Sequence, residues 1–303
     1  MSYEDSFGTV IISIDTELAW GFKDYPDHYV LKLLRKDPSA GRNSIFNMLD
    51  LFDKYNIPAT WAVVGHLFLD SCDRIHGDLP HYRENWYDHH GSNISEEPLY
   101  FGKDIIDKIL SSPVPHEIAC HTFSHVPFSN CDRDLAKAEI LKSKELACYR
   151  GINIESFVFP ESKIGHVDVL AESGIQIYRG ANLGNIRRPY SIRSAMSFLI
   201  KNFIAPPVTS PLLKDGIWEV PGSIHFTSPH FPYMLVNRSK KGVNKAIKEK
   251  MIFHIILHCW SLLLNKSLEK DLEEFLIFLS NKENDGLKIM TMGKFAHYLN
   301  SIK

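Results

Sequence analysis

Neither sign of charge dominates this sequence: 34 Lys plus Arg stand against 36 Asp plus Glu in 303 residues, a formal net charge of −2. That balance creates no long-range field for a polyanion, so nucleic acid is not an expected partner. Cysteine is scarce. Cys72, Cys120, Cys131, Cys148 and Cys259 form an odd, scattered set without CxxC or zinc-ribbon spacing, which fits free structural thiols in a reducing compartment. No run reaches the ~20 apolar residues of a membrane span; the longest, Met251–Leu264 and Ala195–Val208, carry His or Lys inside them. The opening residues Met-Ser-Tyr-Glu-Asp-Ser-Phe-Gly lack the basic and apolar regions of a secretory signal, so a cytoplasmic location is expected. Repeats, low-complexity tracts and Pro/Gly/Ser-rich linkers are missing as well, and a single domain over 1–303 is the expected organisation.

What is present is enough apolar material, 44% of residues, for a sizeable core. Apolar runs alternate with helix-period segments along the whole chain, the pattern of βα units, so the class is α/β with a parallel sheet or barrel. Strands are expected at Thr9–Ile14, Ala59–Val64, Glu117–Cys120, Ser156–Phe159, Ile175–Tyr178, Ile217–Val220 and Ile252–Leu257. Helices are expected at Ser44–Tyr55, Asp132–Tyr149 and Val167–Ala171, with closing helices Leu268–Leu279 and Gly293–Leu299 inside 266–301. Between Asp70 and Phe101 a stretch rich in His, Asp, Asn and Tyr shows no period; it is longer than most connections, so a folded surface insertion near 70–101 is expected, one that can cover a site. The basic run Arg238, Lys240, Lys241, Lys245, Lys248 and Lys250 reads as a solvated loop and helix face ahead of a polyanion or membrane contact.

Polar residues recur where strands stop. His121-Thr-Phe-Ser-His125 follows the strand Glu117–Cys120 directly, and two imidazoles four apart on a loop or single turn can face one divalent ion. Taken by itself, that spacing in a chain with 15 histidines is also what packed polar histidines give. Asp15-Thr16-Glu17 closes the first strand, where parallel sheets and barrels place catalytic groups; the bland alternative is a helix cap and solvent-facing acids. Two His and one carboxylate make a site with open positions for water and substrate. His258, at the end of Phe253–Leu257, is a candidate general acid, or else a packed polar residue.

In this order the pieces resemble the polysaccharide deacetylase family, the NodB-homology carbohydrate esterases. Ser13-Ile-Asp15-Thr-Glu17 is similar to the family's first motif, His121-Thr-Phe-Ser-His125 to its second, and the Leu-His core of Ile256-Leu-His258 to its fifth. Trp218-Glu-Val-Pro-Gly-Ser223 resembles the fourth-motif strand of members tied to surface-polysaccharide synthesis. The resemblance implies a distorted (β/α) barrel of about seven parallel strands, of the glycoside hydrolase-deacetylase type. It also implies hydrolysis of an N-acetyl group on an acetamido sugar, in O-antigen- or capsule-like (lipopolysaccharide) biosynthesis. Asp15 then takes the base role, His121 and His125 the metal roles, and His258 protonates the leaving amine. Glu17 is chosen as the metal carboxylate, since Thr16 stands where the common motif has a second Asp. Zn²⁺ is the expected ion, with Fe²⁺, Co²⁺ and Ni²⁺ as the others such ligands accept.

One departure bears on activity. The family's third motif places an Arg beside a Pro to hold the base, whereas here Phe157-Val-Phe-Pro160 is followed by Glu161. Pointing inward, Glu161 would raise the Asp15 pKa by like-charge repulsion; Lys163, Arg150 or Arg179 are the nearby cations that can replace the Arg. Trp20, Pro160, Glu161 and Trp218 are the expected substrate-binding residues; of Trp20, Trp61 and Trp86 as sugar-stacking faces, Trp61 reads as core inside its strand and Trp20 is the choice. The substrate is expected to be nucleotide-linked, lipid-linked or oligomeric, and Phe198–Ala205 either a core helix ended by Pro206 and Pro207 or a peripheral membrane contact. Two other functions stand beside this one: a C–N hydrolase on another amide, of deformylase or ureide type, and a weak or inactive deacetylase-like glycan-binding protein.

Overall fold

The structure, a computed structural model, describes residues 7–74, 76–184, 204–227, 232–265, 267–282 and 285–303. Its centre is β1 (Gly8–Thr16), all nine of whose residues are buried. A strand covered on both faces has no solvent side to encode, which is why Thr9–Ile14 reads as a continuous β-branched run. Parallel neighbours of β1 are β2 (Thr60–Val63) and β9 (Ile252–His258), with β10 (Leu287–Met290) beside its first half. From β2 the parallel pairing continues through β3 (Glu117–Cys120), β4 (Ser156–Val158) and β5 (Ile177–Asn182) to β7 (Ile217–Gly222). A short β6 (Leu212–Lys214) pairs antiparallel to β7.

Only Ser223 separates β7 from β8 (Ile224–His225), and β8 pairs with β9. One extended segment therefore bonds to β5 through its first half and to β9 through its second, so the pairings run in a ring. Ser223 itself sits on β9: its N–H donates to the His254 carbonyl (2.7 Å) and its hydroxyl accepts from the His254 N–H (3.1 Å). The sheet is mostly parallel in a mixed α/β fold, as expected from the sequence.

Around the sheet lie α1 (Tyr29–Lys36), α2 (Pro38–Lys54), α3 (Lys103–Leu110), α4 (Arg133–Cys148), α5 (Val167–Glu172), α6 (Pro232–Glu249), α7 (Ser261–Leu264), α8 (Ser267–Ser280) and α9 (Met292–Ser301). Helix α2 starts at Asp37, whose carboxylate accepts from the N–H groups of Ser39 and Ala40 (3.1 and 3.3 Å), with Pro38 in the first turn. It buries Ile45, Met48, Leu49 and Phe52, the stripe that fixes it on the sheet. Helix α4 starts at Asp132, which accepts from the Leu135 N–H at 2.8 Å. The basic run lies on α6 except for Lys250, which follows it; Lys241 and Lys248 are on the exposed helix face that was expected, while Arg238 is buried and Lys240 pairs with Glu274 at 2.5 Å.

Between Phe68 and Lys103 the described residues form no helix and, apart from one bridge between Ser71 and Asn93, no strand. No helix of the described residues is long and apolar enough to cross a membrane. Residues 198–203 of the stretch Phe198–Ala205 lie outside the described residues.

Candidate active site

The carboxyl ends of β1, β3, β5 and β9 meet at one rim. Register places Asp15 directly beside His258 on β9 and beside Ala62 on β2. In a parallel pair, registered residues point to the same side of the sheet. Asp15 and His258 therefore face one cleft of about 540 Å³, lined also by Glu17, His125, Glu161, Arg179 and Trp260.

Arg179, on β5, reaches across to Asp15: its two terminal nitrogens donate to Oδ1 and Oδ2 at 2.5 and 2.7 Å. It is 3% exposed. The cation absent from the third motif is thus supplied from the next strand. Lys163 and Arg150 are committed elsewhere, Lys163 to Glu161 at 2.7 Å and Arg150 to Asp107. Burial alone would push the Asp15 carboxyl up, yet the charge and hydrogen bonds of Arg179 outweigh it and hold the group at about 2. Behind this pair, Ser13 Oγ accepts from Arg179 (3.0 Å) and lies 2.9 Å from His254 Nε2. Burial drives the His254 imidazole down to about 3, so the group behind Arg179 carries no competing charge.

The loop after β3 is not helical. Thr122 and His125 have φ of +59° and +64°, in the left-handed region, and this double turn brings both imidazoles to one side. Glu139 on α4, fully buried, pins the loop by accepting from the Ser124 N–H and hydroxyl, both at 2.7 Å. Trp86 donates its indole N–H to the same hydroxyl at 3.0 Å. His121 Nδ1–H donates to the Val158 carbonyl at 2.8 Å; this fixes the tautomer and leaves the Nε2 lone pair toward Glu17.

Glu17 Oε2 lies 3.0 Å from His125 Nε2 and 3.5 Å from His121 Nε2. Ligand atoms of the three residues all lie within 4.8 Å of one another. His121 Nε2 is buried without a hydrogen-bond partner, an orphan that a bound ion would satisfy. Burial opposes ionisation of Glu17, but the adjacent His121 and His125 imidazoles hold it well below the usual carboxylate range. Its other oxygen, Oε1, accepts from the Trp260 indole N–H at 3.0 Å. Gly21 is required here, because a Cβ at that position would overlap the Glu17 carboxylate.

His258 presents Nε2 to Asp15 Oδ2 at 3.7 Å. Its ring is stacked between Trp260 and His225, with centroids 4.6 and 5.6 Å away. Burial lowers the His225 pKa to about 3, so a neutral ring flanks His258. Glu161, with φ of +55°, lines the same cleft, where Tyr25 donates to it at 3.3 Å and Lys163 pairs with it.

Two expected substrate contacts are corrected. Trp20 is 0% exposed: its ring packs on His66 and its N–H donates to the Tyr100 carbonyl at 3.2 Å, so no sugar-stacking face is open there. Trp218 lies near the start of β7 and donates to Asn300 on α9 at 2.9 Å, away from the cleft. Pro160 is buried and only Glu161 and Ser162 of that turn line the cleft. Sequence reasoning missed Trp260 and His225, although both flank recognised positions: Trp260 follows His258 by two, and His225 ends the segment after Trp218–Ser223. Among the described residues, none between 70 and 101 lines the cleft.

The sequence model described as polysaccharide deacetylase matches residues 36–174. That span holds His121 and His125 but neither Asp15 nor His258. No curated protein matches the chain. Among solved structures, a protein from Mycobacterium smegmatis described as a polysaccharide deacetylase superposes with a TM-score of 0.64 at 15% identity, over 100% of this chain and 93% of that one. Another so described, from Pseudomonas aeruginosa PAO1, gives 0.61 at 11% identity over 95% and 89%. The Puue allantoinase gives 0.61 at 11% identity over 99% and 92%. At these identities the superpositions speak for the fold.

Proposed function

Residues 36–174 match the polysaccharide deacetylase model, and we propose that the chain is a divalent-metal-dependent hydrolase that removes the N-acetyl group of an acetamido sugar. The observation that carries this is the two-point clamp of Arg179 on the Asp15 carboxylate beside the Glu17, His121 and His125 cluster. Two imidazoles, one carboxylate and the orphaned His121 Nε2 suit a borderline divalent ion, Zn²⁺ ahead of Fe²⁺ or Co²⁺ by affinity. When bound, such an ion supplies Lewis acidity toward the acetyl carbonyl and toward water.

The chain's own groups do the rest. Asp15, held ionised, accepts a proton from the attacking water at its carboxylate. As the C–O bond forms and the C–N bond breaks, His258 Nε2 gives a proton to the departing amine, without which an amide nitrogen leaves poorly. Water is added across the C–N bond, and the products are acetate and an amino sugar. Tyr25, Phe22 and Trp260 line the cleft and supply the apolar faces a sugar ring needs. The cleft volume lies in the range that holds one small ligand. We take that ligand to be a nucleotide- or lipid-linked acetamido sugar of O-antigen- or capsule-like synthesis rather than finished polymer, in keeping with the expected cytoplasmic location.

A ureide is the second substrate class worth testing, because the allantoinase shares the fold as closely as the Pseudomonas deacetylase does. The catalytically silent glycan-binding reading loses its main support, since Arg179 stands where the missing Arg would act. The test is acetate release from nucleotide-linked, lipid-linked and oligomeric N-acetyl sugars, with ring opening of a cyclic ureide, read as the new carboxylate, alongside. Acetate from one sugar class supports the proposal; ureide turnover without acetate overturns it.

A further inference from the structure

A second cluster of metal-ligating side chains lies outside the cleft. His66, Cys72, His76 and His89 offer ligand atoms all within 4.8 Å of one another. His66, His76 and His89 are buried, His66 completely. His66 belongs to the turn after β2, while the other three come from the segment between Phe68 and Lys103 that has no helix.

Hydrogen bonding has already sorted the nitrogens. His66 Nδ1–H donates to the Tyr100 carbonyl (2.8 Å) and His89 Nδ1–H to the Gly91 carbonyl (2.7 Å). Carbonyl oxygens can only accept, so in both rings Nε2 carries the lone pair, the arrangement outer hydrogen bonds impose on metal-binding histidines. Both lone pairs converge on one sulfur, with Cys72 Sγ at 3.6 Å from His66 Nε2 and 3.2 Å from His89 Nε2. A thiol has one hydrogen and cannot satisfy two nitrogens. His76 adds a third ring, its centroid 5.0 Å from that of His66, and its Nε2 is buried without a partner. A tetrahedron with Zn–N of ~2.0–2.1 Å and Zn–S of ~2.3 Å has N···S edges of about 3.6 Å; the His66–Cys72 distance equals that edge and the His89–Cys72 distance is 0.4 Å shorter.

We propose that His66, Cys72, His76 and His89 form a second, structural Zn²⁺ site that fastens the 70–101 insertion to the barrel. Four protein ligands leave no open position, which is the mark of a structural rather than a catalytic site. A thiolate with three imidazoles selects Zn²⁺ over hard ions. A segment of this length without helix or sheet has little of its own to hold it, and metal binding supplies folding energy directly. The clamp also reaches the cleft. Trp20 packs on His66 and His89 (4.7 and 6.3 Å) and its backbone N–H donates to the Glu17 carbonyl at 3.0 Å, so the second site braces the loop that carries Glu17.

The test uses Co²⁺ added to the chelator-stripped full-length chain. The Glu17, His121 and His125 cluster contains no sulfur, so a thiolate-to-cobalt charge-transfer band reports on the second site alone. Expected are a charge-transfer band that saturates by two equivalents in the wild-type chain and at one in His121→Ala, which lacks the cleft site, and its loss in Cys72→Ser. His76→Gln should keep the thiolate yet weaken binding at least tenfold. No charge-transfer band in the wild-type chain overturns the site, and so does an undiminished band in Cys72→Ser. Because the wild-type spectrum needs neither a variant nor turnover, it stands even if Cys72→Ser fails to fold or no sugar is deacetylated.

Discussion

Arg179 grips both oxygens of the Asp15 carboxylate, 2.5 and 2.7 Å away, from the strand next to the one after which the family motif would place its cation. The bidentate geometry fixes the direction of the carboxylate as well as its charge. Losing one partner of a buried pair leaves a naked charge, at a cost of about 3–5 kcal/mol. Arg179→Met should therefore lower Tm and let burial carry the Asp15 pKa upward; Arg179→Lys keeps the charge but loses the fork. In Arg179→Lys the acid limb of the kcat/KM profile should move to higher pH. An unmoved limb would show that Asp15 does not depend on the clamp.

The same pair fixes a sign for stability. Asp15 is depressed from 3.8 to about 2, so its contribution is fully present above pH ~4 and is lost as pH falls toward 2. Acid unfolding of Asp15→Asn should lack that component of the pH dependence, read from denaturation midpoints between those limits. Identical slopes for both chains would contradict the assignment.

His258 touches Asp15 only at 3.7 Å and makes no contact with Glu17, His121 or His125 among its ion pairs. His258→Ala should keep its metal content while turnover falls by about 10²–10⁴-fold, the range for losing a general acid. Retained turnover would remove the proton-donor role.

Trp260 joins the two halves of the cleft, stacking on His258 and donating to Glu17 Oε1. Trp260→Phe keeps the ring and loses the donor; metal affinity at the cleft should fall about tenfold, as for other outer hydrogen bonds to ligands. Competition against a chelator measures this, and an unchanged affinity would show that Glu17 is held by other means.

Glu161 is tied by Lys163 and Tyr25 at the rim, and partly exposed ion pairs carry little energy. Glu161→Gln should change kcat by less than about threefold, under ~1 kcal/mol. A large gain in activity would mean that Glu161 does press on Asp15.

The rim was legible because strands buried on both faces end in polar residues, and Asp15, His121 and His258 stand at such ends. Arg179 could be named only as one of three cations: the apolar run suggests that β5 stops at Tyr178, whereas it continues to Asn182 and carries Arg179 in a parallel register with Val158 and Val220. Trp20 misled because nearness to Glu17 in sequence says nothing of direction; the 3-10 turn Trp20–Phe22 swings its indole inward to Tyr100. Helices α1 and α3 are only eight residues each, too short for a firm period. The four-ligand cluster was hidden because His66 and His89 are far apart in sequence and only the fold of the insertion brings them together.

The most direct measurement is acetate release from an N-acetylated sugar panel by the chain stripped with chelator and then restored with Zn²⁺, beside Asp15→Asn and His121→Ala. Activity lost on stripping, regained with the ion, and absent from both variants is the predicted result. Acetate release that survives stripping, or that persists in Asp15→Asn, would contradict a metal-dependent deacetylase working through the Arg179-clamped Asp15.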